Sequence, residues 1–173
     1  LGDVYKRQRE RLSWYKQMKN DINIAVVGLG QIGNYLLNEL KNKKKEIKLL
    51  TGKNINVVAI SAKNKNKKRK FKKNKNIFYK NPFKILNHKK IDILFECIGQ
   101  SDGISKKIVE KALKNKIHVI TPNKALISKH GDYLSKIAEN KKVNLEFEAS
   151  VGGGIPILRT CLLYTSDAAD DGL

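Results

Sequence analysis

The sequence has few cysteines, no long apolar run and no obvious export signal. Its two cysteines, Cys97 and Cys161, are too few and too far apart for a disulfide framework or a zinc site, so we expect a reducing, cytoplasmic environment. No run of about 18 apolar residues is present, which excludes a membrane-spanning helix. The given sequence shows no positively charged N-terminal stretch followed by an apolar one, the pattern that would indicate a secretory signal. The length of 173 residues suffices for one medium-sized domain with a hydrophobic core.

Acidic residues are also scarce, and the resulting formal net charge of +20 suggests a nucleic-acid-binding module. However, lysine alternates with asparagine, as in KNKNKK at residues 63–68, which is typical of an A/T-rich coding bias at solvated positions. Aromatic residues that could stack on bases do not interleave with the lysines, and no recognition helix is evident. We therefore expect no nucleic-acid partner, and keep a non-enzymatic basic nucleotide-binding module as the alternative.

The two ends of the chain differ from its middle. Residues 1–17 are polar and irregular and precede Met18, and residues 161–173 break abruptly from the preceding pattern. Both resemble translated adapter sequence, so we treat them as non-native tails and expect the dinucleotide-binding domain to span residues 18–150.

Between the tails, apolar strand-like and helix-like segments alternate. This pattern predicts parallel βαβ units and thus an α/β fold of the Rossmann type, with a doubly wound, mostly parallel sheet. A lysine-rich loop is predicted over residues 63–76. The predicted strands are 22–27, 56–60, 91–98, 116–120 and 143–148, and the predicted helices are 32–45, 101–115 and 124–141.

A glycine-rich loop, Gly28-Leu29-Gly30-Gln31-Ile32-Gly33, directly follows the first strand and opens the first helix. In this context the pattern is typical of a dinucleotide pyrophosphate site. Gly28 allows the tight turn, Gly30 the approach of the cofactor, and Gly33 the close packing of helix on strand. The N-terminus of the helix supplies N–H donors and a favourable dipole.

The end of the second strand favours NADP over NAD. An NAD site usually places an acidic residue there, but no Asp or Glu occurs between Glu46 and Asp92. Ser61-Ala62-Lys63 follows instead, and Lys63 would attract a ribose 2′-phosphate. NAD remains an open alternative.

Two further motifs point to chemistry. Lys124, in Thr121-Pro122-Asn123-Lys124, follows a strand end that faces the ligand crevice, where it could hold a carbonyl oxygen or a carboxylate. The segment 148–156, EASVGGGIP, combines a carboxylate with a glycine-rich turn that exposes carbonyls. Such a loop is suited to a hard cation or to a hinge between domains.

The motifs GLGQIG, DILFECIG, HVITPNKAL and FEASVGGGIPI, in this order, resemble the N-terminal half of homoserine dehydrogenase over about residues 22–159. The resemblance implies an oxidoreductase that interconverts L-homoserine and L-aspartate 4-semialdehyde with NAD(P)H, in threonine, methionine and isoleucine biosynthesis. It further implies that residues 151–160 begin a substrate and dimerisation domain and that the parent enzyme is a homo-oligomer.

The resemblance also implies roles for individual residues. It places Lys124 between the nicotinamide and the substrate as the catalytic residue present in this segment. A monovalent cation such as sodium would be held by Glu148 and the carbonyls of Val151, Gly153 and Ile155. The residues implied to hold the cofactor are Gly28, Gly30, Gln31, Ile32, Gly33, Lys63, Gly99, Ser101 and Lys124.

The family's acidic substrate-binding residue and its catalytic Asp/Lys pair have no counterparts in this sequence. We therefore expect the 173-residue chain to bind dinucleotide weakly or not at all and to lack turnover. Other amino-acid-pathway dehydrogenases, such as aspartate dehydrogenase or aspartate-semialdehyde dehydrogenase, are the enzyme alternatives. The second of these needs a nucleophilic cysteine, and Cys97 lies within a predicted strand.

Overall fold

A computed structural model describes residues 21–64, 77–87 and 90–147 of the chain. The β-strands in these ranges are β1 (Asp21–Val27), β2 (Asn54–Ser61), β3 (Phe78–Tyr79), β4 (Ile93–Glu96), β5 (His118–Ile120) and β6 (Leu145–Glu146). The α-helices are α1 (Gln31–Asn42), α2 (Lys44–Thr51), α3 (Ile104–Lys114) and α4 (Lys124–Lys141), and a 3₁₀ helix spans Pro82–Asn87.

The strands form one parallel sheet in the order β3-β2-β1-β4-β5-β6. This order confirms the Rossmann-type, doubly wound fold predicted from the alternating pattern. Because successive connections leave β1 in opposite directions, the topological switch point lies between β1 and β4. Ligands of open α/β sheets bind at the carboxyl ends of the strands at such a point.

Two hydrophobic cores lie on opposite faces of the sheet, because alternate side chains of each strand point to opposite sides. In β1, Ile22, Ile24 and Val26 pack with the Leu36, Leu37 and Leu40 stripe of α1 and with Ile47 of α2. Ala25 and Val27 belong to the other core, to which α3, α4 and the 3₁₀ helix contribute. Both faces of the sheet are therefore covered by helices.

The predicted elements exist, but several of their bounds differ. The helix predicted over residues 32–45 ends at Asn42, and a second helix, α2, follows Lys43 and buries Ile47. Helix α2 ends at Thr51 and is followed by Gly52 in the left-handed conformation that favours glycine. The strands predicted over 91–98, 116–120 and 143–148 are shorter, because only their central residues pair with a neighbour. Strand β3 and the 3₁₀ helix were not predicted.

Several sequence predictions concern residues outside the described ranges. These are the two tails, the domain start at 151–160 and most of the lysine-rich loop. In the described ranges, no helix combines the length and the apolar character that crossing a membrane requires.

Candidate functional site

The described candidate residues all follow the carboxyl ends of strands, and therefore gather at one edge of the sheet. The glycine loop follows β1 and Lys63 follows β2. Gly99 and Ser101 follow β4, and Lys124 follows β5. The candidate site thus spans the switch point between β1 and β4, with its parts contributed by four separate strand ends.

The glycine loop begins at a position where only glycine fits. Gly28 has φ +94°, and its N–H donates to the Ser61 carbonyl oxygen at 2.9 Å. A Cβ at Gly28 would overlap the Cys97 carbonyl group and lie 2.7 Å from the Ile98 nitrogen. The loop therefore packs at Gly28 directly against the backbone that follows β4, and this position has no room for a side chain.

The other two glycines of the motif differ in their surroundings. Gly33 is buried in the first turn of α1, where a Cβ would overlap the Gly28 carbonyl oxygen. Gly30 precedes α1 in an extended conformation, and a Cβ there would meet no atom within 4 Å. Gly28 and Gly33 are thus required by packing, whereas the space beside Gly30 is open to a ligand.

The N-terminus of α1 leaves its backbone donors available. No side chain caps this helix, and its first turn contains no acidic residue, while the first N–H groups of any α-helix lack intrahelical partners. Asn34 donates from Nδ2 to the carbonyls of Leu29 and Gly30 at 2.8 and 2.7 Å. This side chain holds both carbonyls toward the helix, so that the loop can offer N–H groups to an anion. Gln31 and Ile32 are exposed beside it.

The end of β2 carries no negative charge. Ser61 and Ala62 are buried, and Lys63 follows them as an exposed residue. Asn64, the last described residue of this segment, carries no charge. An exposed ammonium group without a nearby carboxylate in the segment fits a ribose that carries a 2′-phosphate.

A buried carboxylate lies at the end of β4 and was not predicted as a site residue. Glu96 is fully buried, and its Oε1 accepts hydrogen bonds from the Ile98 N–H at 2.8 Å and the Ser105 hydroxyl at 3.0 Å. Its Oε2 accepts from the Thr121 hydroxyl at 2.6 Å and from Asn123 Nδ2 at 3.3 Å. One side chain thereby joins the loop after β4, the first turn of α3 and the turn after β5.

Asn123 extends this network to both sides of the crevice. Its Nδ2 also donates to the Gln100 carbonyl at 2.8 Å, and its Oδ1 caps α4 by accepting from the Leu126 N–H at 3.1 Å. Lys124 is the first residue of α4 and is exposed. The backbone position of Lys124 is therefore set by the buried side chains of its neighbours.

The loop after β4 is held from the solvent side by a charged cluster. Gly99 is exposed with φ +86°, and the Ser101 hydroxyl donates to Asp102 at 2.9 Å. Asp102 also pairs with Lys129 at 2.7 Å and with His130 at 2.8 Å, both on α4. Hydrogen bonds from Lys129, His130 and Ser101 hold the pKa of Asp102 below its usual range.

Cys97 directly follows β4 rather than lying within it, and its N–H donates to the Val27 carbonyl at 2.7 Å. Burial, together with the neighbouring Glu96 carboxylate, raises the pKa of the Cys97 thiol to about 12. The thiolate is the nucleophilic form of cysteine. The environment of Cys97 therefore disfavours the alternative of a cysteine-dependent aspartate-semialdehyde dehydrogenase.

Glu96 and Asn34 are the residues that sequence reasoning missed. The signal for Glu96 was a single acidic residue inside the apolar run DILFECIG, followed by two hydrogen-bonding residues in TPN after the next strand. The predicted cation ligands Glu148, Val151, Gly153 and Ile155 lie outside the described residues, so that site stays a prediction. Within the described ranges, no group of three or more His, Cys, Asp or Glu side chains is arranged to hold a metal.

The chain is similar to known homoserine dehydrogenases in sequence and in structure. The homoserine dehydrogenase of Neisseria gonorrhoeae is 34% identical over 138 residues, which cover 80% of this chain and 31% of that protein. The crystal structure of S. aureus homoserine dehydrogenase at pH 6.5 superimposes with a TM-score of 0.70 at 35% identity, covering 77% of this chain and 33% of that one.

A hyperthermophilic archaeal homoserine dehydrogenase in complex with NADPH has a TM-score of 0.62 at 22% identity, and covers 80% of this chain and 47% of that chain. This last likeness concerns the fold alone. The chain spans about a third of the length of the bacterial relatives that it matches.

Residues 28–148 match the family described as homoserine dehydrogenase, NAD binding domain. The match includes the glycine loop, the buried Glu96 network and the Lys124 turn. The chain therefore belongs to the homoserine dehydrogenase family, through its NAD-binding domain.

Proposed function

We propose that this chain is the cofactor-binding part of an enzyme that interconverts L-homoserine and L-aspartate 4-semialdehyde, with NADPH as the preferred nicotinamide cofactor. Family membership supports the reaction, and the shape of the glycine loop supports the cofactor. The observation that carries the cofactor assignment is the contrast among the three glycines, because only Gly30 faces open space. A pyrophosphate placed there would accept hydrogen bonds from the N-terminus of α1.

The preference for NADPH follows from charge at the end of β2. Residues 62–64 contain no carboxylate that would repel a 2′-phosphate, and exposed Lys63 would attract it. NADH would lack this attraction, although the pyrophosphate loop would bind both cofactors equally. The lysine-rich charge of the chain would strengthen the preference at low salt.

The nicotinamide supplies the hydride that is exchanged with the substrate. Lys124, at the carboxyl edge beside the loop 98–101, is proposed to hold the substrate carbonyl oxygen and to stabilise the negative charge that develops on it. A cation at the N-terminus of a helix is disfavoured by the helix dipole unless an anionic group pairs with it. A substrate oxygen or carboxylate would provide that partner.

Because the chain spans about a third of the length of its relatives, cofactor binding tests the proposal more directly than enzyme activity does. We expect the purified chain to bind NADPH weakly, measured by the change in nicotinamide fluorescence. Gly30→Val should keep the thermal unfolding temperature close to that of the original chain and weaken binding by at least about tenfold, because the side chain enters the space left for the pyrophosphate. Unchanged NADPH affinity in this variant would contradict the assigned site.

A charge reversal tests the choice of cofactor. Lys63→Glu should weaken NADPH binding by about tenfold and leave NADH binding nearly unchanged, because only the 2′-phosphate is repelled. Lys48→Glu makes the same charge change on α2, away from the candidate site, and should change neither affinity by more than about twofold. Equal losses in both variants would show that overall charge, and not Lys63, attracts the cofactor.

A further inference from the structure

We propose that Glu96 is a positioning residue that holds the nicotinamide side of the site, acting through the Thr121–Lys124 turn and the loop 98–101. This inference rests on the proposed cofactor function. Glu96 lies at the end of β4 and is fully buried, and four donors converge on its two oxygens.

The two oxygens of Glu96 serve different parts of the site. Oε1 accepts from the Ile98 N–H and the Ser105 hydroxyl, so it fixes the loop after β4 against α3. Oε2 accepts from Thr121 and Asn123, so it fixes the turn that precedes Lys124. A carboxylate is an acceptor at both oxygens, which is what four donors require.

An amide cannot replace this carboxylate, whichever way it is turned. In Glu96→Gln, the NH₂ group faces either Asn123 Nδ2 or the Ile98 N–H, and both of these can only donate. One of the two tethers must therefore open, although the volume of the side chain is unchanged. Because Asn123 also holds the Gln100 carbonyl, opening its tether loosens both sides of the crevice together.

Within the described residues, Glu96 makes no hydrogen bond to the pyrophosphate loop, and the two are connected through the backbone of Cys97 and Ile98. The loop has supports of its own, from Asn34 and from the hydrogen bond of the Gly28 N–H to Ser61. A defect in the Glu96 network should therefore weaken contacts to the nicotinamide half of the cofactor more than contacts to the adenosine half. This difference separates a positioning role from general structural support.

The experiment compares the full chain with Glu96→Gln for two ligands, NADPH and 2′-phospho-ADP-ribose, which lacks the nicotinamide. We expect NADPH to bind the original chain more tightly than the fragment, and we expect this ratio of affinities to fall by about tenfold in Glu96→Gln, with fragment binding changed less than about twofold. Asn123→Asp should behave like Glu96→Gln, because it keeps the cap on α4 but replaces the Nδ2 donor by an acceptor.

Ser105→Ala is the matched control within the same network. It removes one donor from Oε1 without touching the turn before Lys124, so it should lower the thermal unfolding temperature and keep the affinity ratio. The positioning role would be contradicted if Glu96→Gln lowered the affinities for both ligands equally, or if Ser105→Ala lowered the affinity ratio as much as Glu96→Gln does. Neither result would contradict the proposed cofactor function. Absence of binding of both ligands to the original chain would overturn the proposed function, and this inference with it.

Discussion

The two halves of the candidate site are built in opposite ways. The pyrophosphate loop depends on missing side chains, because Gly28 and Gly33 sit where a Cβ would overlap backbone atoms. The Glu96 network depends on side chains that are present, from β4, α3 and the turn after β5. The first half is damaged by adding one methyl group, and the second by removing one carboxylate. Substitutions in the two halves can therefore separate effects on stability from effects on cofactor binding.

Removal of the carboxylate should have the largest effect. Glu96→Ala leaves two hydroxyls and a backbone N–H without this acceptor in a buried site, and removes one of the two acceptors of Asn123 Nδ2. Each unsatisfied buried donor costs about 1–3 kcal/mol. We expect the free energy of unfolding to fall by at least about 3 kcal/mol, measured by urea denaturation. Ser105→Ala, which removes a single donor, should cost about 1 kcal/mol. Equal losses would show that Glu96 is not the centre of the network.

Addition of a methyl group in the loop should have the next largest effect. Gly33→Ala forces the first turn of α1 away from the Gly28 carbonyl, and overpacking of this kind costs about 1–3 kcal/mol. Gly30→Ala meets no atom and has a backbone conformation open to any residue, so its stability should change by less than about 0.5 kcal/mol. If the two variants unfold at the same urea concentration, the packing role of Gly33 is wrong.

Asn34 is a side chain that binds two carbonyls of the loop. Asn34→Ala removes the hydrogen bonds to the Leu29 and Gly30 carbonyls, and we expect a loss of about 1–2 kcal/mol in unfolding free energy. Asn38→Ala is the control, because it makes the same exchange in the same helix. Both variants gain the higher helix propensity of alanine, so this gain cancels when their unfolding free energies are compared. Equal unfolding free energies of the two variants would show that the hydrogen bonds of Asn34 do not stabilise the loop.

The charged cluster around Asp102 should have the smallest effect, because these side chains are exposed and screened by solvent. The pKa of Asp102 is lower in the folded chain than in the unfolded chain, where it is about 4. The contribution of Asp102 to folding stability is therefore present above that unfolded value and is lost as the pH falls below it. The unfolding temperature of Asp102→Asn should lie slightly below that of the original chain at pH 6, and the gap should close toward pH 2.

Asp132→Asn serves as the control for this series, because Asp132 is an exposed acidic residue on the same helix as Lys129 and His130. It should show a smaller dependence of the unfolding temperature on pH. A gap for Asp102→Asn that widens as the pH falls would contradict the assigned direction of the pKa shift.

The features that depend on neighbouring residues follow from the amino-acid sequence. The order of strand, glycine loop and helix was predictable because Gly28, Gly30 and Gly33 lie within six residues of one another. The apolar positions of α1 likewise recur within two helical turns. The distinction between Gly30 and the other glycines was also predicted in outline. What surrounds each of them became measurable only once Cys97 and Ile98 were placed beside Gly28.

The features that join distant segments depend on how the strands are ordered in the sheet. Glu96 reads as one polar residue in an apolar strand until the parallel pairing of β4 and β5 brings Thr121 and Asn123, 25 and 27 residues away, onto its second oxygen. The pairing of β1 with β4 likewise brings Cys97 against the glycine loop, and burial together with the adjacent Glu96 raises the pKa of its thiol. Local patterns specify elements, whereas a buried polar side chain such as Glu96 is stabilised by hydrogen-bond partners that the order of strands in the sheet brings to it.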